Sequence, residues 1–512
     1  MRHLITVVLF VWAVCGPAAW AQEDAEGPAT SQPAVETETE QLAETQHSIV
    51  VDGRRLDYTA TAGTITLSEE DGTEKANVFF VAYTVDDDTA SRPVTFTFNG
   101  GPGSSSVWLH LGAFGPRRVK LDDEGRPIGP PYELVDNEAT ILDLTDLVFI
   151  DPVTTGYSRA VPDEDPKQFH GFREDIESVA EFIRIYTTRF ERWASPKFLA
   201  GESYGTTRAA GLAGHLQGRK GMFLNGIVLI SSILNFQTAR FDQGNDLAHI
   251  LLLPSCTATA WYHGRLDQEL QEDLRRTLDE VEQFALTDYA SALLRGSDLP
   301  DDDRSEIARQ LARYTGLSVE YIEQTNLRLT TRRFTKQLMR HKRRTVGRLD
   351  SRFTGIDADA AGDGFEYDPS YAAIQGPYTA MLNHYLRAEL EYENDLPYEI
   401  LTGRVHPWNY NNVQNRYLNV AETLREAMTR NPSLRTFVAS GYYDLATPYF
   451  ATDFTFNHLG LDPDLREHVT IHYYESGHMM YIHHPSMLKL KADLREFFEA
   501  AAPTPDRATS RR

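Results

Sequence analysis

Apolar and polar positions alternate over residues 48–84, and Asp-Gly pairs break the alternation at 52–53 and 71–72. A period of two interrupted by residues that tolerate a left-handed turn predicts antiparallel hairpins, with folded structure starting near His47. Denser apolar runs follow. Val94–Phe98 leads into a glycine cluster, residues 147–150 into Asp151-Pro152, and Gly226–Ile230 into Ser231-Ser232. Between the last two runs, Phe172, Ile176, Val179, Ile183, Tyr186 and Phe190 recur at three- and four-residue spacing, which places them on one helix face. Strands alternating with helices imply an α/β fold, with a mostly parallel central sheet covered by helices on both faces. From about 236 to 400 strand-like runs give way to helical ones, such as 266–285 and 305–313, and strand patterns return at 434–440 and 469–474. The economical organisation is a core in two parts, 47–235 and 401–500, interrupted by a helical insertion over 236–400. Such insertions often cover a site as lids.

Composition adds the termini and removes some function classes. The chain has 512 residues, 41% of them hydrophobic, and a net charge of −24. It can bury a large core, and no basic surface for tracking phosphates is expected, so nucleic acid is not an expected partner. Ten Lys or Arg residues fall in 328–352, and these are expected on a solvated helical face balanced by Asp301–Asp303. Arg2 and His3, an apolar stretch over 4–14 and Ala19-Trp20-Ala21 read as an export signal over 1–21, too short for a membrane span. Residues 22–46 hold seven acidic and no basic side chains, which predicts a solvated leader, and the Pro-containing tail 501–512 reads as disordered. The two cysteines are Cys15, inside the signal, and Cys256, expected as a buried structural thiol. An exported chain without disulfides is expected in a bacterial periplasm or secreted from a bacterium.

The candidate chemistry centres on Gly-Glu-Ser-Tyr-Gly at 201–205, between a short apolar run and a helical stretch. In that context Ser203 is a candidate nucleophile on a strained elbow, facing the positive end of the following helix. A serine nucleophile needs a base, and the base needs an orienting carboxylate. In the α/β-hydrolase arrangement these follow in the order serine, acid, histidine, on loops at strand ends. Asp444, just past 434–440, and His478, just past 469–474, fill those places. His472 lies within a strand, and His483 and His484 open the last helix. The Gly-rich stretch Asn99–Ser106 follows the first core strand, and its glycines, Gly100 among them, let the main chain approach a substrate. The N–H groups of Gly101 and Tyr204 are the candidate oxyanion donors. Neither a Gly-Lys-Ser/Thr phosphate loop nor a His-Glu-x-x-His zinc motif occurs, so no metal or cofactor is expected.

Five motifs occur in order: Asn-Gly-Gly-Pro-Gly-Ser-Ser (99–105), Asp-Pro-x-x-x-Gly-Tyr-Ser (151–158), Gly-Glu-Ser-Tyr-Gly, Gly-Tyr-Tyr-Asp (441–444) and Gly-His-Met (477–479). Together they resemble the serine carboxypeptidases of the α/β-hydrolase superfamily, and more closely their bacterial exported branch. The resemblance implies release of C-terminal residues from peptides with a free C-terminus. By it, Ser203, Asp444 and His478 are catalytic, Asn99 and Glu202 hydrogen-bond the terminal carboxylate, and Met479 lines the leaving-residue side. Two carboxyl groups approach only when one is protonated, so Glu202 implies an acid pH optimum. Two positions depart from the family pattern. Phe98 stands where a Trp is usual, and Ala113 where a second Glu is usual. Arg117 or Arg118 is an alternative carboxylate partner. An esterase or acyltransferase on the same triad, and an inactive binding module, are the competing functions.

Overall fold

The computed structural model describes residues 42–85 and 91–502. The export signal, the leader up to residue 41 and the tail beyond 502 lie outside the described residues.

Nine strands form one continuous sheet path: β1 (Leu42–Val51), β2 (Arg54–Ser68), β3 (Glu74–Val85), β4 (Val94–Phe98), β5 (Asp146–Ile150), β6 (Lys197–Glu202), β7 (Gly226–Ile230), β8 (Arg435–Gly441) and β9 (Val469–Tyr474). Their spatial order is β1-β2-β3-β5-β4-β6-β7-β8-β9, with the short strand Arg159–Ala160 also pairing on β3. Pairing is antiparallel from β1 to β5 and parallel from β5 to β9. The parallel strands up to β8 are buried on both sides, and their side chains alternate between two cores, while the edge strand β9 is partly exposed. Phe198, Val228 and Phe437 face helix α6 (His484–Ala501), where Phe497 and Phe498 pack. Leu199, Leu229 and Val438 face α1 (Phe172–Arg189), α2 (Tyr204–His215) and α5 (Ala421–Arg430). The α1 face is the one its periodicity predicts, with Ile176, Val179, Ile183 and Tyr186 buried.

Folded structure starts earlier than the sequence pattern indicates. Leu42–Val51 pairs residue by residue with β2, from Leu42 opposite Gly63 to Val51 opposite Arg54, so 42–46 belongs to the sheet and not to the acidic leader. This is an edge strand with its outward residues in solvent, so its side chains carry little hydrophobic signal.

The stretch 236–400 divides. Residues from α3 (Leu247–Tyr262) to Val346 build a third core around Cys256, which is fully buried, and Tyr443 and Leu445 beyond β8 join it. Helix α4 (Pro369–Ala388) packs instead into the core shared with α6. The basic stretch 328–352 is not one solvated face. Lys336 pairs with Asp357 and Arg352 with Asp350, both pairs buried, and Arg328 pairs with Asp246. Among the described residues, the Asp301–Asp303 segment meets Arg295 instead.

Candidate active site

Parallel register brings several strand ends to one level. Ile230 lies opposite Glu202 in β6 and opposite Ala439 in β8, so the loops after β6, β7, β8 and β9 emerge together. Ser203 has φ 59° and ψ −128°, a backbone conformation an L-residue adopts at a cost of about 1–3 kcal/mol. Tight packing holds it there. A Cβ at Gly201 would sit 2.2 Å from the Gly205 carbonyl oxygen, so the elbow closes only with glycine at that position. The Ser203 N–H is satisfied by the Ile230 carbonyl at 3.0 Å.

His478, after β9, and Asp444, after β8, meet each other. His478 Nδ1 and Asp444 Oδ2 are 2.7 Å apart, and both residues are buried. Asp444 also accepts from the N–H groups of Ala446 and Thr447 and from the Thr447 hydroxyl, so a fully buried carboxylate has its lone pairs occupied. With Nδ1 engaged there, Nε2 is the ring nitrogen not bound to Asp444. Burial alone would lower the His478 pKa. The Asp444 charge, its hydrogen bond and the Glu202 charge outweigh that and leave it raised.

Ser203 and His478 line one cavity of about 540 Å³ together with Asn99, Gly100, Gly101, Glu202 and Met479. Asn99 is fixed from two sides. Its carbonyl accepts from Arg208, itself paired with Asp175 in the core, and its Oδ1 accepts from the Leu109 N–H. The buried Asn99 Nδ2 lies close enough to Glu202 to lower its pKa but completes no well-formed hydrogen bond. Burial pushes Glu202 up to about 7, against the lowering pull of the His478 charge, the Tyr481 hydrogen bond and the nearby Asn99 amide. Its direct partner is the Tyr481 hydroxyl. Ala113 is buried, does not line this cavity and brings no carboxyl to it. Arg117 and Arg118 are engaged with Asp136, Glu389 and Glu138 and do not line this cavity.

Gly101 and Tyr204 line a second, adjoining cavity that also contains Ser203. Among the described residues neither N–H donates to another protein group. The two backbones lie close together, because a Cβ at Gly100 would stand 2.4 Å from the Tyr204 nitrogen. Asp151 braces this loop by accepting from the N–H and hydroxyl of Ser106 and from the Tyr398 hydroxyl. The rival histidines have local structural partners: His472 stacks on Phe437, His483 meets Ser486 and His484 meets Glu138.

The insertion reaches into the site, which the sequence pattern does not disclose. The His478 N–H donates to the Leu349 carbonyl at 2.7 Å, Gly477 N–H to Asp350 at 3.1 Å, and Leu445 N–H to the Arg348 carbonyl at 3.1 Å. Residues 348–352 therefore bridge the loops that carry Asp444 and His478. The Asp350–Arg352 pair at their centre is 3–4% exposed. Asp350→Ala leaves the buried Arg352 with only the half-exposed Glu124, 3.6 Å away, as an acidic partner and is expected to cost up to about 3–5 kcal/mol in denaturant unfolding. Replacing both residues with apolar ones should recover part of that loss, the Gly477 N–H still lacking its acceptor. A double variant as unstable as the single one would contradict this account of the pair.

The strand order, the strained serine and the Asp–His pair on successive strand-end loops define an α/β-hydrolase. More particularly, the chain belongs to the serine carboxypeptidase family, whose family model matches residues 53–485. It is similar to the pheromone-processing carboxypeptidase KEX1 of Saccharomyces cerevisiae (strain JAY291), at 35% identity over 156 residues. That match covers 28% of this chain and 20% of the yeast protein, so the chain spans about a fifth of that relative's length. The serine carboxypeptidase-like 29 protein of Arabidopsis thaliana is 28% identical over 130 residues, a quarter of each chain (25% and 25%). Among solved structures, the peroxisomal α/β-hydrolase Lpx1 of Saccharomyces cerevisiae aligns over 91% of this chain and 90% of its own, at 10% identity and TM-score 0.34. A lipase in its open form aligns over 86% of this chain and 100% of its own, at 14% identity and TM-score 0.34.

Proposed function

We propose that this protein releases C-terminal residues from peptides through an acyl-enzyme. Ser203 Oγ attacks the last peptide carbonyl while His478 takes its proton. Asp444 stabilises the imidazolium and holds its tautomer. The carbonyl oxygen, now negative, is received by the Gly101 and Tyr204 N–H groups, each contributing about 2.7–4 kcal/mol to lowering the barrier. Collapse breaks the C–N bond, and His478 returns the proton to the departing amine. Water, deprotonated by the same histidine, then frees the acyl chain and restores Ser203.

The observation that carries this reading is the buried Glu202–Asn99 pair in the nucleophile's cavity. An enzyme that hydrolyses only esters has no need of a carboxyl with a pKa near 7 beside an amide with a free donor. A substrate carboxylate gives both groups a partner: protonated Glu202 donates to it, and Asn99 Nδ2 donates beside it. Trp108, Tyr371, Ile374, Leu401 and Met479 give the rest of this cavity an apolar wall, which suits an apolar leaving residue. Several of these residues come from 349–403, so that segment acts as a lid that shapes the leaving-residue side. Ala113 favours the second reading, an esterase or acyltransferase on the same triad, because the family's second Glu is missing there and the cavity's other carboxyl, Asp368, is committed to the N–H groups of Arg348 and Leu349 and to Ser370. Tyr481 answers it by supplying the hydrogen-bonding partner for Glu202. Comparing a peptide acid with its amide and methyl ester tests the two readings.

A further inference from the structure

The two cavities meet at Ser203 and share Gly101, Pro102, Arg348 and His406. The carboxypeptidase reading places the C-terminal residue in the first, beside Glu202. A peptide bound across Ser203 must then direct the preceding residue into the second, a space of about 360 Å³ on the Tyr204 side. Resting on that reading, we propose that the second cavity is an acyl-side subsite selecting an acidic residue before the cleaved bond, held by Arg240 and Arg348.

The charge distribution carries this. Arg240 and Arg348 are the charged side chains always cationic at neutral pH that line the second cavity, and no Asp or Glu lines it. Neither arginine is tightly neutralised. Arg240 lies over the Phe236 ring, 5.5 Å from its centre, beside the Tyr410 hydroxyl, and has no ion pair among the described residues. Arg348 has its nearest carboxylate at 3.8 Å, on Asp368, and its side chain is 45% exposed. The Asp368 oxygens are already taken by the backbone N–H groups of Arg348 and Leu349 and by Ser370. Two cations with little local compensation thus face a cavity next to the nucleophile. An incoming carboxylate meets favourable charge there, and an incoming Lys or Arg meets repulsion. Both arginines come from the insertion, whereas the triad comes from strand-end loops of the sheet. On this assignment the insertion sets which peptides are accepted, and the sheet supplies the chemistry.

The aromatic walls at Phe236, Trp408 and Tyr410 would also admit uncharged side chains, so the decisive comparison varies charge at constant shape. N-blocked peptides sharing one apolar C-terminal residue, with Glu, Gln or Lys before it, are assayed for release of that last residue. At low salt, kcat/KM is expected to run Glu above Gln above Lys. An exposed ion pair gives roughly a 1.5- to 5-fold Glu-over-Gln ratio, shrinking as ionic strength rises. Arg240→Glu is expected to reverse the Glu-to-Lys order, and Arg348→Gln to reduce it. Ratios within one variant cancel any general loss of folded enzyme. A Glu-to-Gln ratio near one in the unmodified protein, or a ratio untouched by Arg240→Glu, overturns the subsite assignment alone. If no peptide of the set loses its last residue, the carboxypeptidase reading falls and this assignment falls with it.

Discussion

Ser203→Ala is expected to lower peptide turnover by about a millionfold while leaving substrate binding nearly unchanged. In the proposed mechanism the hydroxyl is the only part of the side chain that becomes covalent with the substrate. The groups assigned to hold the peptide, namely Asn99, Glu202 and the walls of the two cavities, remain in place. A residual rate above that of water should survive, because the Gly101 and Tyr204 N–H groups, proposed to stabilise the developing oxyanion, are retained. Stability offers a control. Alanine inherits the φ of 59° that serine has here, so its backbone cost is unchanged. Ser203→Gly relieves that conformation and is expected to raise the unfolding midpoint while being just as inactive. Rapid chemical turnover by the alanine variant would show that another residue is the nucleophile.

Glu202→Gln should abolish the loss of peptidase activity at alkaline pH. Glu202 has a pKa raised to about 7, chiefly by burial, so its protonated form dominates below that value and its ionised form above it. Only the protonated carboxyl can receive the substrate's anionic terminus. For a free peptide, kcat/KM is therefore expected to fall about tenfold per pH unit above 7. His478 has the opposite requirement. Its pKa is raised and it must be neutral to accept the serine proton, so activity also falls as pH drops through that pKa. The two groups feel each other's charge and titrate as a pair. With one proton between them, the substrate carboxylate selects the form with neutral histidine and protonated glutamic acid. Glutamine at 202 keeps a donor and loses the titration, so the alkaline limb should vanish while the acid limb stays. Tyr481→Phe removes a hydrogen bond that favours ionised Glu202 and should move the limb to higher pH. Persistence of the limb in the Gln variant would mean that another group controls it.

What could be read from the chain depended on how local the signal was. The α1 face and strands Val94–Phe98, Gly226–Ile230 and Val469–Tyr474 are single-segment patterns of apolar spacing, and they stand where the pattern puts them. The site residues were legible because each follows a strand end, and register alone brings strand ends together. Three features lay beyond that reach. Leu42–Val51 is a polar edge strand whose identity comes from its partner and not from its own hydropathy. Tyr481, one of many buried tyrosines, acquires its importance only from the placement of Glu202 opposite it. The 348–352 segment looked like part of a basic helical surface, yet its backbone ties down both catalytic loops and its Arg348 faces both cavities. The 348–352 contacts join residues about 97 to 129 positions apart and the Tyr481–Glu202 bond residues 279 apart, and no local spacing encodes them.

The most direct test of the central claim is mass spectrometry of a peptide acid, its C-terminal amide and its methyl ester, incubated with the protein across pH 4 to 8. The account predicts that the acid loses its last residue in a reaction abolished by Ser203→Ala and weakening above about pH 7, while the amide shows no such alkaline decline. Hydrolysis of the ester with no release of a residue from the free peptide at any pH would contradict it.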